Sequence, residues 1–286
     1  MSAYLEIVRA GSLTTTQDYG RPGYAHLAVP PSGALDLPAH RLANRLVGNP
    51  ETDATLETTL DGVALGATQP CYIAVTGALA PITLDRRSVG WSVPIRLQPG
   101  QLLNVGRATL GVRCYLAVSG GIEVNPTLGS RATDLLSGLG PAPLRDGERL
   151  PVGTATNPVS VLDFAPYPLP TNSCLRLPLH AGPRSDWITP SSRSQLTSTT
   201  WTVSEDSNRV GMRLNGPALH RAITSELPSE GVVLGSVQIP ADGRPVVFLA
   251  DHPTTGGYPV VGVIPQPHLW CCAQASPGTR IQFSPR

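Results

Sequence analysis

The chain has 286 residues, 41% of them hydrophobic and 14% charged, and a net charge of +1. That is enough apolar material for one large core or two ordinary ones, and it excludes a disordered chain. No basic patch marks a nucleic-acid binder, no apolar run approaches the roughly 18 residues of a membrane span, and Met1–Glu6 lacks the regions of a signal peptide, so the expected location is the cytoplasm.

The 29 glycines and 30 prolines argue for short strands joined by tight turns. Residues 4–9 alternate and read as an opening strand. "GSLTTTQDYGRPGY" (11–24) follows, polar and cut by glycine, with Gln17, Asp18 and Arg21 close together. "AVPPSGALD" (28–36) is a turn. Asp36 then reads as a helix N-cap with Pro38 in the first turn. Ala39, Leu42, Ala43 and Leu46 form an apolar stripe at helical spacing, and Gly48 ends the helix, which is expected near 37–47.

From residue 55 the pattern is β. "ATLETTLDGVAL", "CYIAVTGA", "ITLDRRSV", "IRLQPGQLLNVG" and "VRCYLAVSGGI" are short runs ended by Gly, Pro or Asp. Residues 126–150 are rich in Gly and Pro. The stretch 151–172, with five prolines, is the expected linker. The second half repeats the β style through "LRLPLHAG", "TWTVSEDSNRVGMRLNG", "GVVLGSVQIP", "RPVVFLAD" and "YPVVGVI", with a short helix at 267–274. The spacing indicates a sandwich or barrel, split into an N-terminal β domain (1–165) with its one helix and a C-terminal β domain (166–286).

Several chemistries are excluded. All 21 basic residues are arginine, so no Schiff base, P-loop lysine or covalent biotin is available on this chain. The five cysteines contain no C-x-x-C pair, and Cys71 and Cys114 fall in strand-like runs, where a thiol packs as a small hydrophobe. No GxSxG, HExxH or strand-borne GxGxxG occurs, and no metal site is indicated.

The polar turns remain. "LADHPTTGGYP" (249–259) ends an apolar strand with Asp251, His252, Thr254 and Thr255, then Gly256-Gly257 and Tyr258. The glycines either supply a turn with positive φ or let backbone N–H groups approach an anion or carbonyl. Gln17, Asp18 and Arg21 read equally as a salt-linked surface turn or as substrate contacts. Asp36 reads as a cap, and His26 and His252 as ordinary polar residues with proton transfer as the lesser alternative.

Taken together, "TTTQDYGRPGY", "PPSGALD", "ANRLVGNPETDATLETT", "SGGIEVNPTLGSRAT", "SNRVGMRLNG", "EGVVLGSVQIPADGRPVVFLADHPTTGGYP" and "AQASPGTRIQF" resemble the allophanate hydrolase subunit 2 family. That family is also named for the C subunit of 5-oxoprolinase and as a biotin-dependent carboxyltransferase-domain family, and it includes a kinase-inhibitor antagonist type. The likeness covers nearly the whole chain in order. It implies a mainly β, cyclophilin-like barrel architecture in two related subdomains with a few short helices. It implies one component of an ATP-dependent amidohydrolase that opens 5-oxoproline to glutamate, inactive alone. The partners implied are a protein of the allophanate hydrolase subunit 1 type, which is the B subunit of 5-oxoprolinase, and a third protein of the A subunit type. ATP would be shared with them. A component of a urea-directed carboxyltransferase and a non-catalytic regulator of the subunit 1 type partner are the alternatives.

The resemblance favours the ligand-loop reading of residues 251–258. Asp251, Asp18 and His252 are then the catalytic candidates, Asp251 as a base or as the group that orients an amide N–H. Gln17, Arg21, Arg131, Thr254, Thr255, Gly256, Gly257 and Tyr258 are the substrate-binding candidates, with Arg131 of "GSRAT" suited to an anion. Two departures stand out. Pro253 occupies a position where the family commonly has Gln, and Pro141-Ala142 replaces an expected Gly-Arg pair, which puts an anion contact at that loop in doubt.

Overall fold

The computed structural model describes residues 2–159, 165–170 and 173–286, so part of the linker expected over 151–172 lies outside the described residues. The chain divides into two compact units. One comprises residues 1–21, 36–134 and 138–170; the other takes residues 22–35, 135–137 and 171–286.

The first unit holds two antiparallel sheets. One is six-stranded, in the order Arg149–Val152, Ala3–Arg9, Ala64–Ala67, Leu103–Val105, Ile82–Leu84, Arg87–Ser88. The other is five-stranded, in the order Leu13–Gln17, Thr55–Thr59, Leu110–Val118, Cys71–Leu79, Pro94–Leu97. Leu5, Ile7, Leu65 and Leu103 of the first and Leu56, Ile73, Val75, Leu116 and Leu97 of the second form one buried cluster. Each such side chain contributes roughly 1.5–3 kcal/mol on full burial.

The opposite face of the five-stranded sheet is polar yet equally buried. Strand alternation puts Thr15, Gln17, Thr55, Glu57, Tyr115 and Thr76 there, and each is sealed from solvent. Helix Leu37–Leu46 packs on this sheet: Asp36 caps it by accepting from Ala39 N at 3.0 Å, and Thr76 Oγ1 donates to Ala39 O at 2.7 Å. Gly48, with φ +76°, turns the chain out of the helix.

The second unit is a closed seven-stranded barrel, the cyclophilin-like architecture that the resemblance implied. Its strands run in the order Leu175–Ala181, Val260–Val263, Ser236–Gln238, Val246–Phe248, Gly211–Asn215, Trp201–Val203, Arg280–Pro285. Parallel pairing of Leu175–Leu179 with Ile281–Pro285 closes it. Leu177, Trp201, Met212, Val237, Val247 and Phe283 fill the interior. The short helix expected at 267–274 is a 3-10 turn, Gln266–His268, running into helix Leu269–Gln274. A helix the sequence reading lacks, Pro190–Ser198, starts at Thr189, whose side chain accepts from Ser192 N at 3.2 Å.

Burial decides the cysteine chemistry. It pushes the Cys71 thiol up to about 11 and the Cys114 thiol up to about 12, and it raises Cys272 further. These three are packing groups rather than nucleophiles.

Candidate functional site

In the first unit, Gln17, Asp18, Arg21 and Arg131 come together around residues 127–133. Asp18, at the end of strand Leu13–Gln17, accepts from Ser130 Oγ and Arg131 N at 2.6 Å each and from Gly20 N at 2.7 Å. The Gln17 amide donates from Nε2 to Thr133 O and Thr15 Oγ1 at 3.0 Å each, and its buried Oε1 has no partner among the described residues. Arg21 is 1% exposed and donates from Nη2 to Ala132 O and from Nε to Thr127 O. Arg131 Nε donates to Val124 O at 2.8 Å. Three buried side chains therefore hold one loop by its backbone. Gly140 closes the arrangement: at φ +81°, a Cβ there would meet Ala132 O and stand 2.9 Å from Arg21 Nη2. The glycine before Pro141-Ala142 thus packs against the Arg21 guanidinium.

A second polar cluster in this unit was not singled out by the sequence beyond Asp36. The Tyr115 hydroxyl donates to Glu57 Oε2 and accepts from Asp36 N, both at 2.7 Å. Tyr167 OH donates to Asp36 Oδ2, and Arg113 pairs with Glu57 at 3.5 Å. Burial raises the Tyr115 hydroxyl well above its usual value, with Glu57 and Asp36 adding to it. His40, between Thr55 Oγ1 at 2.9 Å and Glu51 O at 3.0 Å, is lowered to about 4, chiefly by burial. The available signal was Glu57 and Tyr115, polar residues within otherwise strand-forming runs.

In the second unit, Asp251 is fully buried and all of its acceptor capacity is used. Arg209, 1% exposed, donates to it bidentately, Nε to Oδ2 and Nη2 to Oδ1, both at 2.9 Å. Ser32 Oγ donates at 2.6 Å and Leu135 N at 3.1 Å. Arg209 Nη2 also donates to Gly33 O at 2.7 Å. Asp251 therefore ties together three chain segments. His252 is 4% exposed, stacks on Phe248 with ring centroids 6.0 Å apart, and has Nδ1 2.7 Å from Pro253 O.

The loop then reaches the surface. Thr254 O accepts from Val232 N at 3.0 Å, and Thr255–Gly256 pairs with Glu230–Gly231 as a two-stranded ribbon. Gly256, Gly257 and Tyr258, with Pro253, line a cavity of about 430 Å³ whose remaining wall is barrel residues Arg213, Gln238, Pro240, Val246 and Phe248. Thr254, Thr255, Asp251 and His252 are not in its lining. Gly256 has a packing reason: a Cβ there would stand 2.6 Å from Gln238 Nε2, which donates to Tyr258 O at 2.9 Å. Arg209, Ser32, Arg213 and Gln238 escaped the sequence reading. Gln238 carried a signal, as an amide ending the apolar run of "GSVQIP".

A chain that combines a two-sheet β unit with a closed barrel, each bearing polar glycine-containing loops, defines a class. Residues 27–285 match the family described as carboxyltransferase domain, subdomains A and B, and the chain belongs to that family. It is 39% identical over 98% of its length to the C subunit of 5-oxoprolinase from Escherichia coli (strain K12), covering 90% of that protein. It is 33% identical over 98% of its length to urea amidolyase of Saccharomyces cerevisiae, covering only 16% of that protein. The crystal structure of Kluyveromyces lactis urea carboxylase matches 99% of this chain and 27% of its own, at 32% identity and a TM-score of 0.90. The chain thus spans most of the first relative and little more than a quarter, or less, of the other two. Among the described residues, no helix is long and apolar enough to cross a membrane.

Proposed function

We propose that the chain is the C subunit of an ATP-dependent 5-oxoprolinase, acting in the cytoplasm with partners of the A and B types. One observation carries this: the 39% identity to the C subunit of a 5-oxoprolinase runs through nearly the full length of both chains. The free state of all five cysteines fits a reducing compartment.

A lactam is a poor electrophile. Phosphoryl transfer from ATP to the amide oxygen makes the carbonyl carbon attackable by water, and ring opening with loss of phosphate leaves glutamate. This chain contributes ligand-holding groups without a nucleophile. Asp251 does not act as the base on this reading, because its two oxygens already accept from Arg209, Ser32 and Leu135. It positions the loop that carries Gly256 and Gly257. Asp18 does the same for the loop that carries Arg131. His252, stacked on Phe248, supports the cavity wall.

The test is reconstitution. The chain alone should give no ATP-dependent glutamate from 5-oxoproline, and adding both partners should restore turnover. The second reading, a component of a urea-directed carboxyltransferase, is favoured by the match to urea carboxylase at a TM-score of 0.90. Biotin-dependent carboxyl transfer to urea by the complex, with no glutamate from 5-oxoproline, would select it. A tight complex that performs neither reaction would select a regulatory role.

A further inference from the structure

The cavity beside Gly256 and Gly257 has an uneven chemistry. Among the described residues, Arg213 is its only charged lining residue, and no carboxylate lines it. Arg213 stands exposed on strand Gly211–Asn215 and forms no salt bridge among the described residues, whereas Arg209, four positions earlier, is consumed by Asp251. A guanidinium without a protein partner at a cavity rim selects anions, and carboxylates in particular, because its fork matches their two oxygens.

Gln238 lies in the same register row as Arg213, with Val246 between them, and lines the cavity with an amide. Gln238 is 3% exposed, and its Nε2 donates to Tyr258 O at 2.9 Å. That bond fixes which way the carboxamide lies, since Tyr258 O can only accept. Oε1 is left as an acceptor, and it accepts from no described residue. A ligand N–H satisfies it. The backbone N–H groups of Gly257 and Tyr258 donate to no described residue and supply the complementary donors for a ligand carbonyl. Between these groups, Val246, Phe248, Pro240 and Pro253 form an apolar floor. A volume of about 430 Å³ lies within the range of small-molecule sites.

We propose that this cavity binds a small carboxylate that also carries a secondary amide, with Arg213 on the carboxylate, Gln238 Oε1 on the amide N–H and the Gly257–Tyr258 backbone facing the amide carbonyl. Naming that ligand as 5-oxoproline rests on the 5-oxoprolinase reading; the chemistry of the cavity does not.

The experiment is calorimetry or ligand-observed NMR on the full-length chain with three probes. They are 5-oxoproline, 2-pyrrolidinone, which lacks the carboxylate, and cyclopentanecarboxylate, which lacks the amide. The full ligand should bind at least about ten-fold tighter than either fragment, as expected for the loss of one charge-assisted or buried hydrogen-bond set. Arg213→Ala should abolish the preference for 5-oxoproline over 2-pyrrolidinone. Gln238→Met should abolish the preference over cyclopentanecarboxylate. Arg213 is exposed, so its variant should keep the parental melting temperature and carry the test even if Gln238→Met fails to fold. Equal affinities for the three probes, no saturable binding of any, or an Arg213→Ala variant that binds like the parent would overturn the assignment. Two outcomes separate this cavity from the proposed activity. Arg213-dependent binding with no glutamate release by the reconstituted complex would sustain the cavity and refute the 5-oxoprolinase reading. Turnover of 5-oxoproline whose KM is unchanged by Arg213→Ala would sustain the activity and refute the cavity.

Discussion

Asp251→Asn should destabilise the protein severely. The carboxylate is fully buried and takes four hydrogen bonds: two from Arg209, one from Ser32 and one from Leu135 N. An asparagine keeps the shape but offers one acceptor oxygen in place of two, and it turns an NH₂ group toward one set of donors. The larger cost is on the partner. Arg209 is 1% exposed, so removing the negative charge takes from a guanidinium sealed from water the carboxylate it pairs with bidentately. Breaking one side of a buried pair costs about 3–5 kcal/mol. That is a large share of the roughly 5–15 kcal/mol by which a domain is stable. At about 2–4 °C per kcal/mol, the melting temperature should fall by roughly 6–20 °C.

Thermal and urea unfolding followed by circular dichroism measure the effect directly. A double variant, Arg209→Met with Asp251→Leu, should lose less than the sum of the two single losses, because both members of one buried pair are removed together. Its residual cost is the loss of the bonds that Ser32 Oγ, Leu135 N and Gly33 O make to the pair, roughly 1–3 kcal/mol for each group left with no other partner and no water. If Asp251→Asn melts within about 1 °C of the parent yet abolishes turnover of the complex, Asp251 is a reacting group and the clamp is refuted. Strict additivity of the two single variants would also count against the ion pair.

Acid should act through His40. Its folded value of about 4 lies below the unfolded 6.5, so the stability tied to the neutral ring is fully present above about pH 6.5 and is lost as pH falls toward 4, by up to about 3 kcal/mol. His40→Gln should flatten that part of a stability-versus-pH curve, and an unchanged curve would rule the group out. Tyr115→Phe should cost about 1–3 kcal/mol in urea unfolding, since it leaves Asp36 N–H and Glu57 buried without the bridging hydroxyl; a loss below about 0.5 kcal/mol would show that the bridge contributes nothing. Gly140→Ala should lower the melting temperature, because the residue has φ +81° and its Cβ would meet Ala132 O and Arg21; a neutral substitution would mean that this loop yields. Thr255→Val, at an exposed position outside the cavity lining, should change neither stability nor ligand affinity appreciably; a marked loss of affinity would bring Thr255 into the site.

Local chemistry was readable where it is local. The helix at Leu37–Leu46 follows from Asp36, Pro38 and the 3.6-residue stripe, all within a dozen positions. The β character follows from short strand-forming runs bounded by Gly, Pro and Asp. Helix Pro190–Ser198 was missed although Thr189-Pro190 is a cap with proline at the first turn, because its sequence, with only Leu196 and Ser192 buried, carries no apolar stripe. The pairing of Leu175–Ala181 with Arg280–Pro285 that closes the barrel spans more than 100 residues, and no pattern in either run specifies it.

The same distance effect explains the catalytic candidates. "TTTQD" and "VVFLAD" both end a buried strand with an aspartate; the first reads equally as a surface turn or as substrate contacts, and the second becomes a ligand loop only with the resemblance added, because in one dimension the partners of a charge after an apolar run are not visible. In three dimensions each aspartate takes one serine hydroxyl and one remote backbone N–H: Asp18 from Ser130 and Arg131, Asp251 from Ser32 and Leu135. The sequence separations are 112 and 113 residues for Asp18, and 219 and 116 for Asp251. A carboxylate is suited to this use because it accepts several N–H and O–H bonds at once and each is charge-assisted. Two residues that line the cavity keep side-chain polar atoms bonded to no described residue, the Arg213 guanidinium and Gln238 Oε1. An aspartate at a strand end therefore says that something is being held, and only the count of bonds it already accepts says whether a ligand can be among them.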